Sequence, residues 1–154
     1  MRHGEAENTT PDSQRRLTAA GAAAVERVAA RATASGLAVA HLYHSGLARA
    51  QQTAEILARH LNARDRVEQR DGLRPNDPAE PTARWLLDLA ERHTPGGIAL
   101  VGHLPFMGHL AARLVAADER AQVVAFEAGA LVKLLPRSGS EGFTIAWVLT
   151  PELA

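Results

Sequence analysis

The 154-residue chain has no cysteine. Disulfides, Cys-ligated zinc and iron–sulfur clusters are therefore excluded. Net charge is missing too, because 17 basic side chains balance 17 acidic ones. A duplex-binding protein carries a basic excess, so nucleic acid is not an expected partner. Lysine is almost absent: among the 17 basic residues only Lys133 is Lys. No run approaches the roughly 20 apolar residues of a membrane helix. Met1-Arg2-His3-Gly4-Glu5 is polar where a signal peptide would turn apolar. These absences set a cytoplasmic protein without a membrane partner as the expectation. The chain also lacks a Walker loop, a dinucleotide glycine fingerprint and a G-x-S-x-G elbow. No His or carboxylate pair has a ligand spacing such as H-E-x-x-H, so neither a metal site nor a cofactor is expected.

What remains is core material. Hydrophobic residues make up 46 % of the chain, enough for one domain over residues 1–154. Thr18 can cap a helix over about 18–34, on which Val25 and Val28 share a face, and Gly36 stops it. Leu37 to Tyr43, bounded by Gly36 and Gly46, is a short apolar run and predicts a buried strand. Arg49 to Leu61 has helical apolar spacing, and Val67-Glu68-Gln69 suits a short strand. Leu73 to Pro81 holds three prolines and predicts a loop, followed by a helix over 82–92 and a turn at Pro95-Gly96-Gly97. Ile98 to Gly102 is the clearest buried strand, and Pro105 opens a helix to about 116. Three strand-like runs close the chain: Gln122 to Phe126, Ala130 to Leu135 and Phe143 to Leu149. Alternation first and strands last predict a three-layer α/β/α sandwich, with a mostly parallel central sheet and an antiparallel edge.

Seven histidines carry most of the reactive potential. In Arg2-His3-Gly4, an arginine fork of donors stands beside an imidazole able to attack phosphorus, and Gly4 lets the backbone turn. Ser45-x-x-x-Arg49-Ala50-x-Gln52-Thr53 leaves a strand and opens a helix. This puts Arg49 in a first turn, where backbone N–H groups favour anions. Val101-Gly102-His103-Leu104-Pro105 repeats that strand-to-helix passage. Three strand ends would thus deliver Arg or His to the rim where open α/β sheets bind ligands. His44 reads as a structural or rim residue, His109 as a packing residue, and Trp85 and Trp147 as core.

Taken together, Arg2-His3-Gly4-Glu5-Ala6, Leu17-Thr18-x-x-Gly21, Ser45-x-x-x-Arg49-Ala50-x-Gln52-Thr53 and Gly102-His103-x-Pro105 resemble the histidine phosphatase superfamily, the phosphoglycerate mutase-like fold. Within it they are most similar to the SixA-type phosphohistidine phosphatases. The resemblance spans essentially the whole chain, in order. It implies a metal-independent phosphatase in which His3 is the nucleophile and becomes phosphorylated. Arg2 and Arg49 would clamp the phosphoryl oxygens, and His103 would donate to the same oxygens. Arg15 matches an arginine of the SixA-type branch, and Arg16 stands where that branch often has proline. The implied partner is a phosphorylated protein carrying phosphohistidine; the alternative is a small phosphorylated metabolite.

The chain departs from the family pattern twice. About five apolar residues usually precede Arg-His-Gly as a first, central strand, so this strand is expected to be truncated. A catalytically inactive phospho-ligand-binding fragment is the reading that follows if the strand is truly lost. The second departure is the short stretch Asp71 to Pro81, where larger members carry a proton-donating carboxylate over the site. Asp77 and Glu80 are the candidates there, and Glu5 is a candidate pocket residue.

Overall fold

The computed structural model describes residues 1–92 and 96–154. Its elements in chain order are α1 (Ala19–Ala34), β1 (His41–His44), α2 (Ala48–His60), β2 (Val67–Gln69), α3 (Ala79–Glu91), β3 (Ile98–Val101), α4 (Phe106–Ala116), β4 (Leu131–Pro136) and β5 (Phe143–Leu149). Short 3-10 turns cover Asp12–Gln14 and Arg64–Arg66. Thr18 caps α1 by accepting from Gly21 N at 2.9 Å, as its position before the Ala-rich run predicts. Gly36, just past the helix, takes φ +77°, a conformation that costs a glycine nothing.

Strands β2-β1-β3 form a parallel sheet, with Tyr43 opposite both Glu68 and Leu100. Successive side chains of a strand face opposite ways. Leu42, Ala99 and Val101 accordingly join Val25, Val28, Ala54 and Leu57 on the face covered by α1 and α2. Tyr43 and Leu100 join Leu87, Phe106, Leu110 and Leu114 on the face covered by α3 and α4. The three-layer arrangement follows from this alternation.

The antiparallel pair β4–β5 is a separate sheet rather than a continuous edge of the first. Residues 1–3 stand between the two. The Met1 amine donates to Leu100 O at 2.8 Å, Gly102 N to Met1 O at 3.1 Å, and His3 N to Gly102 O at 3.0 Å. On the other side Arg2 N donates to Ala130 O, and Gly129 N to His3 O, each at 3.0 Å. These bonds make residues 1–3 a central crosspiece between the two sheets. Beyond Met1 the space between β3 and β4 is an apolar groove of about 440 Å³, lined by Met1, Val39, Leu86, Leu100, Leu131 and Leu134 among others.

Four sequence expectations are corrected. Gln122 to Phe126 forms no strand. Phe126 is buried in the α3–α4 core, with Val123 and Val124 packed against it, so these residues are apolar without being paired in a ladder. The first strand covers 41–44 rather than 37–43, because Leu37 and Val39 pack against the core before β1 begins. Helix α3 starts at Ala79 and contains Pro81, which the first turn accepts because its N–H would be unbonded anyway. Trp85 and Trp147 pack against the core only half-buried. Pro95 of the predicted Pro95-Gly96-Gly97 turn lies outside the described residues. Among the described residues no helix is long and apolar enough to cross a membrane.

Candidate active site

The C-terminal ends of β1 and β3 and the N-terminal crosspiece meet at one rim. Two close backbone approaches set it. A Cβ on Gly21 would stand 2.2 Å from Glu5 O, and one on Gly4 would stand 2.8 Å from Val25 Cγ2. Only glycines let α1 lie directly on the chain that follows His3. Thr53 on α2 then fastens the pieces. Its hydroxyl donates to Arg49 O at 2.7 Å and accepts from Gly4 N at 3.1 Å. Gln52 accepts from Leu17 N at 2.8 Å. The motif residues Gln52 and Thr53 therefore serve as joints between α2 and the first eighteen residues.

His3 Nδ1 lies 2.6 Å from Gly4 O. A carbonyl only accepts, so Nδ1 carries the proton and the Nε2 lone pair is left free. The His3 and His103 rings are 4.8 Å apart between centroids and tilted by 50°. His103 is buried, and its Nε2 lies 2.6 Å from Ser45 Oγ. Its Nδ1 is buried without a hydrogen-bond partner, and so is Arg2 Nε, although Arg2 Nη1 donates to Phe126 O at 2.8 Å. Unpaired buried nitrogens at one rim are groups that an oxyanion could satisfy.

Burial and charge act together on the two imidazoles. Desolvation lowers His3 from 6.5 to about 4; Arg49, Arg2 and Arg15 push the same way, against the Gly4 carbonyl. Desolvation also lowers His103 to about 3, helped by His3, Arg49 and Arg2. Both rings are neutral at pH 7.

The structure thus brings His3, His103, Arg2, Arg15 and Arg49 into one electrostatic neighbourhood, with Gly4 inside it. Arg15 is partly buried and Arg16 exposed, so it is Arg15 that turns inward. Arg15 Nε donates to Glu7 O at 2.5 Å. The Glu5 side chain is exposed. His44 is buried and its Nδ1 accepts from Gly46 N at 3.1 Å, a loop-fixing contact, while His109 is exposed rather than packed. The two candidate proton donors are engaged elsewhere. Asp77 accepts from Arg74 N at 2.8 Å. Glu80 is gripped by Arg113 at 2.6 Å and by Arg84 at 2.8 Å, and these bonds hold its carboxyl below the usual range.

Sequence reasoning left two site residues without a role. Ser45 stood in a quoted motif and orients His103. Asp12 contacts both Arg15 and Arg49 at 3.2 Å, and no motif marked it. Among the described residues no group of three or more His, Cys, Asp or Glu could hold a metal ion. An imidazole with a free lone pair amid fixed arginines and a second imidazole can bind and attack a tetrahedral oxyanion.

The model of the histidine phosphatase superfamily (branch 1) matches residues 1–80, just over half of the chain. No curated protein matches at the sequence level. Among solved structures, the protein histidine phosphatase SixA complexed with tungstate is 25 % identical, with a TM-score of 0.87. That match covers 98 % of this chain and 94 % of the other. Phosphoserine phosphatase from Entamoeba histolytica, in complex with phosphoserine, is 17 % identical with a TM-score of 0.73, covering 99 % and 95 %. A mycobacterial glucosyl-3-phosphoglycerate phosphatase is 14 % identical with a TM-score of 0.71, covering 94 % of both chains. The family model covers more than half of the chain, and with the likeness to SixA the chain belongs to the histidine phosphatase superfamily as a phosphatase of its branch 1.

Proposed function

We propose that the chain hydrolyses protein phosphohistidine through a covalent phosphoryl intermediate on His3. The observation that carries this reading is the tautomer of His3. Its Nδ1–H is committed to Gly4 O, the ring is neutral at pH 7, and Nε2 is free beside three arginines. In the first step Nε2 forms a bond to phosphorus while the bond from phosphorus to the leaving nitrogen breaks. The electron pair departs with the leaving imidazole, which takes a proton from water. Water then attacks phospho-His3, the phosphorus–Nε2 bond breaks, and inorganic phosphate leaves with His3 restored. Charge on the equatorial oxygens is met by Arg2, Arg15 and Arg49 and by the His103 N–H.

Two points support phosphohistidine as substrate. The likeness to the protein histidine phosphatase SixA is one. The other is that Asp77 and Glu80, the two candidate proton donors, are engaged elsewhere and are not set to protonate a poor alkoxide leaving group. A phosphoramidate departs without such an acid. The second reading, a small phosphomonoester substrate, is favoured by the likeness to the phosphoserine and glucosyl-3-phosphoglycerate phosphatases.

The experiment is turnover of a phosphohistidine protein beside a panel of phosphomonoesters, with EDTA present, for the wild type and His3→Ala. The expected result is preference for the phosphohistidine protein, survival in EDTA, inhibition by vanadate, and loss of both turnover and the acid-labile label in His3→Ala. Preference for one ester selects the second reading. Activity restored only by a divalent ion, or a near-normal His3→Ala, overturns the mechanism. Phosphate binding with no turnover on any substrate leaves a phospho-ligand-binding protein.

A further inference from the structure

We infer that the Asp12 carboxylate is an internal stand-in for the phosphoryl group, holding Arg15 and Arg49 in the resting site and displaced when a substrate's phosphoryl group enters. The inference rests on the phosphatase reading above. Asp12 Oδ1 lies 3.2 Å from Arg15 Nη1, and Oδ2 lies 3.2 Å from Arg49 Nη2. One anion thus spans two arginines with one oxygen on each, which is how two equatorial oxygens of a phosphoryl group would sit. The main-chain oxygen of Asp12 completes the grip at 2.8 Å from Arg49 Nη1.

The two partners are held very differently. The Arg49 side chain is only 5 % exposed and is anchored on α2, whereas that of Asp12 is 60 % exposed. Asp12 lies on the 3-10 turn Asp12–Gln14, which has no buried residue. A buried guanidinium left without a counter-charge is costly. In the resting site Asp12 meets that need, and it is the partner that can leave. The need to leave follows from like charge. Arg2 Nε and His103 Nδ1 are buried nitrogens of the site that have no partner. The Asp12 charge already reaches His103, whose pKa it pulls upward against larger opposing effects. A dianion bridging those nitrogens to Arg49 would lie against the carboxylate and repel it. Asp12 then returns as inorganic phosphate departs, which keeps the product from being held.

The test uses the full chain with Asp12→Asn, which keeps the shape and removes the charge, and with Asp12→Ala. Calorimetry with inorganic phosphate reads affinity directly, and p-nitrophenyl phosphate kinetics separate KM from kcat. Removing one competing charge is expected to tighten phosphate about tenfold in both variants. KM should fall in the same direction, so that kcat/KM rises. Phosphate binding that is unchanged or weaker in folded variants overturns the inference, because Asp12 would then be aligning the arginines for phosphate. A hundredfold fall in kcat with unchanged affinity also overturns it, making Asp12 a proton donor. Thermal melts confirm that each variant is folded. A wild type that neither binds phosphate nor turns over sinks the phosphatase reading itself; a wild type that does both, beside variants that bind no tighter, sinks only the role of Asp12.

Discussion

Nε2 of His103 lies 2.6 Å from the Ser45 hydroxyl, which leaves Nδ1 as the ring nitrogen with no protein partner. A phosphoryl oxygen only accepts, so the useful tautomer has its proton on Nδ1 and a lone pair on Nε2. On the proposed mechanism Ser45 selects that tautomer by donating to Nε2.

Ser45→Ala is therefore expected to lower kcat/KM about tenfold, the cost of one lost buried hydrogen bond. The loss should appear mainly in kcat, because the phosphoryl oxygens need His103 most in the transition state. Steady-state kinetics on the favoured substrate measure this, with a melt to show the fold intact. Unchanged kcat/KM would show that His103 needs no help from Ser45.

The pH profile has a definite sign. The folded-state pKa values of His3 and His103, about 4 and about 3, lie well below the ordinary 6.5. Both rings stay neutral from pH 8 down to about 5, so kcat/KM, corrected for the substrate's own ionisation, should be level over that range. Activity should fall only as pH drops through about 4, where His3 takes a proton and loses its lone pair. An acid limb centred near 6.5 would mean that water reaches the ring and the arginines do not act on it.

The Met1 amine offers a test of the groove. Burial lowers its pKa from 8.0 to about 5. Between those values the unfolded chain binds a proton that the folded chain refuses, so stability is complete above pH 8 and declines as pH falls to about 5. A shift of that size corresponds to at most about 4 kcal/mol. A chain with about five apolar residues placed ahead of Met1 replaces the amine by a peptide N–H and fills the groove with a strand of roughly 17 Å. It should melt well above the 154-residue chain, and its melting temperature should lose the slope between pH 8 and 5. Equal melting within a few degrees and the same slope would show that the groove does not take a strand.

How legible this molecule was depends on the range of each contact. Helix α1 was bounded almost to the residue, because Thr18 and Gly36 act on their own neighbours. Gln122 to Phe126 was misread because a run of apolar residues states only that it is buried. Whether Phe126 O pairs in a ladder or accepts from Arg2, 124 positions away, is not a local property. The site residues His3, Arg49 and His103 stood out because each lies beside a strand end. Asp12 could not, since its partner Arg49 is 37 positions away and its own surroundings are those of any exposed turn. The short first strand was legible as a departure, but the hydrogen bonds that let three residues serve in its place were not.

Those hydrogen bonds also impose an order in time. His3 is made before Gly102 and Gly129, yet its main chain is fixed by both. Such distant contacts close late in folding. A nascent chain of the first 100 residues therefore already holds the imidazole, Arg49 and Thr53 but lacks the main-chain partners that Gly102 and Gly129 give His3. On the proposed mechanism, phosphoryl chemistry at His3 begins only after the last quarter of the chain has been made and has packed against His3.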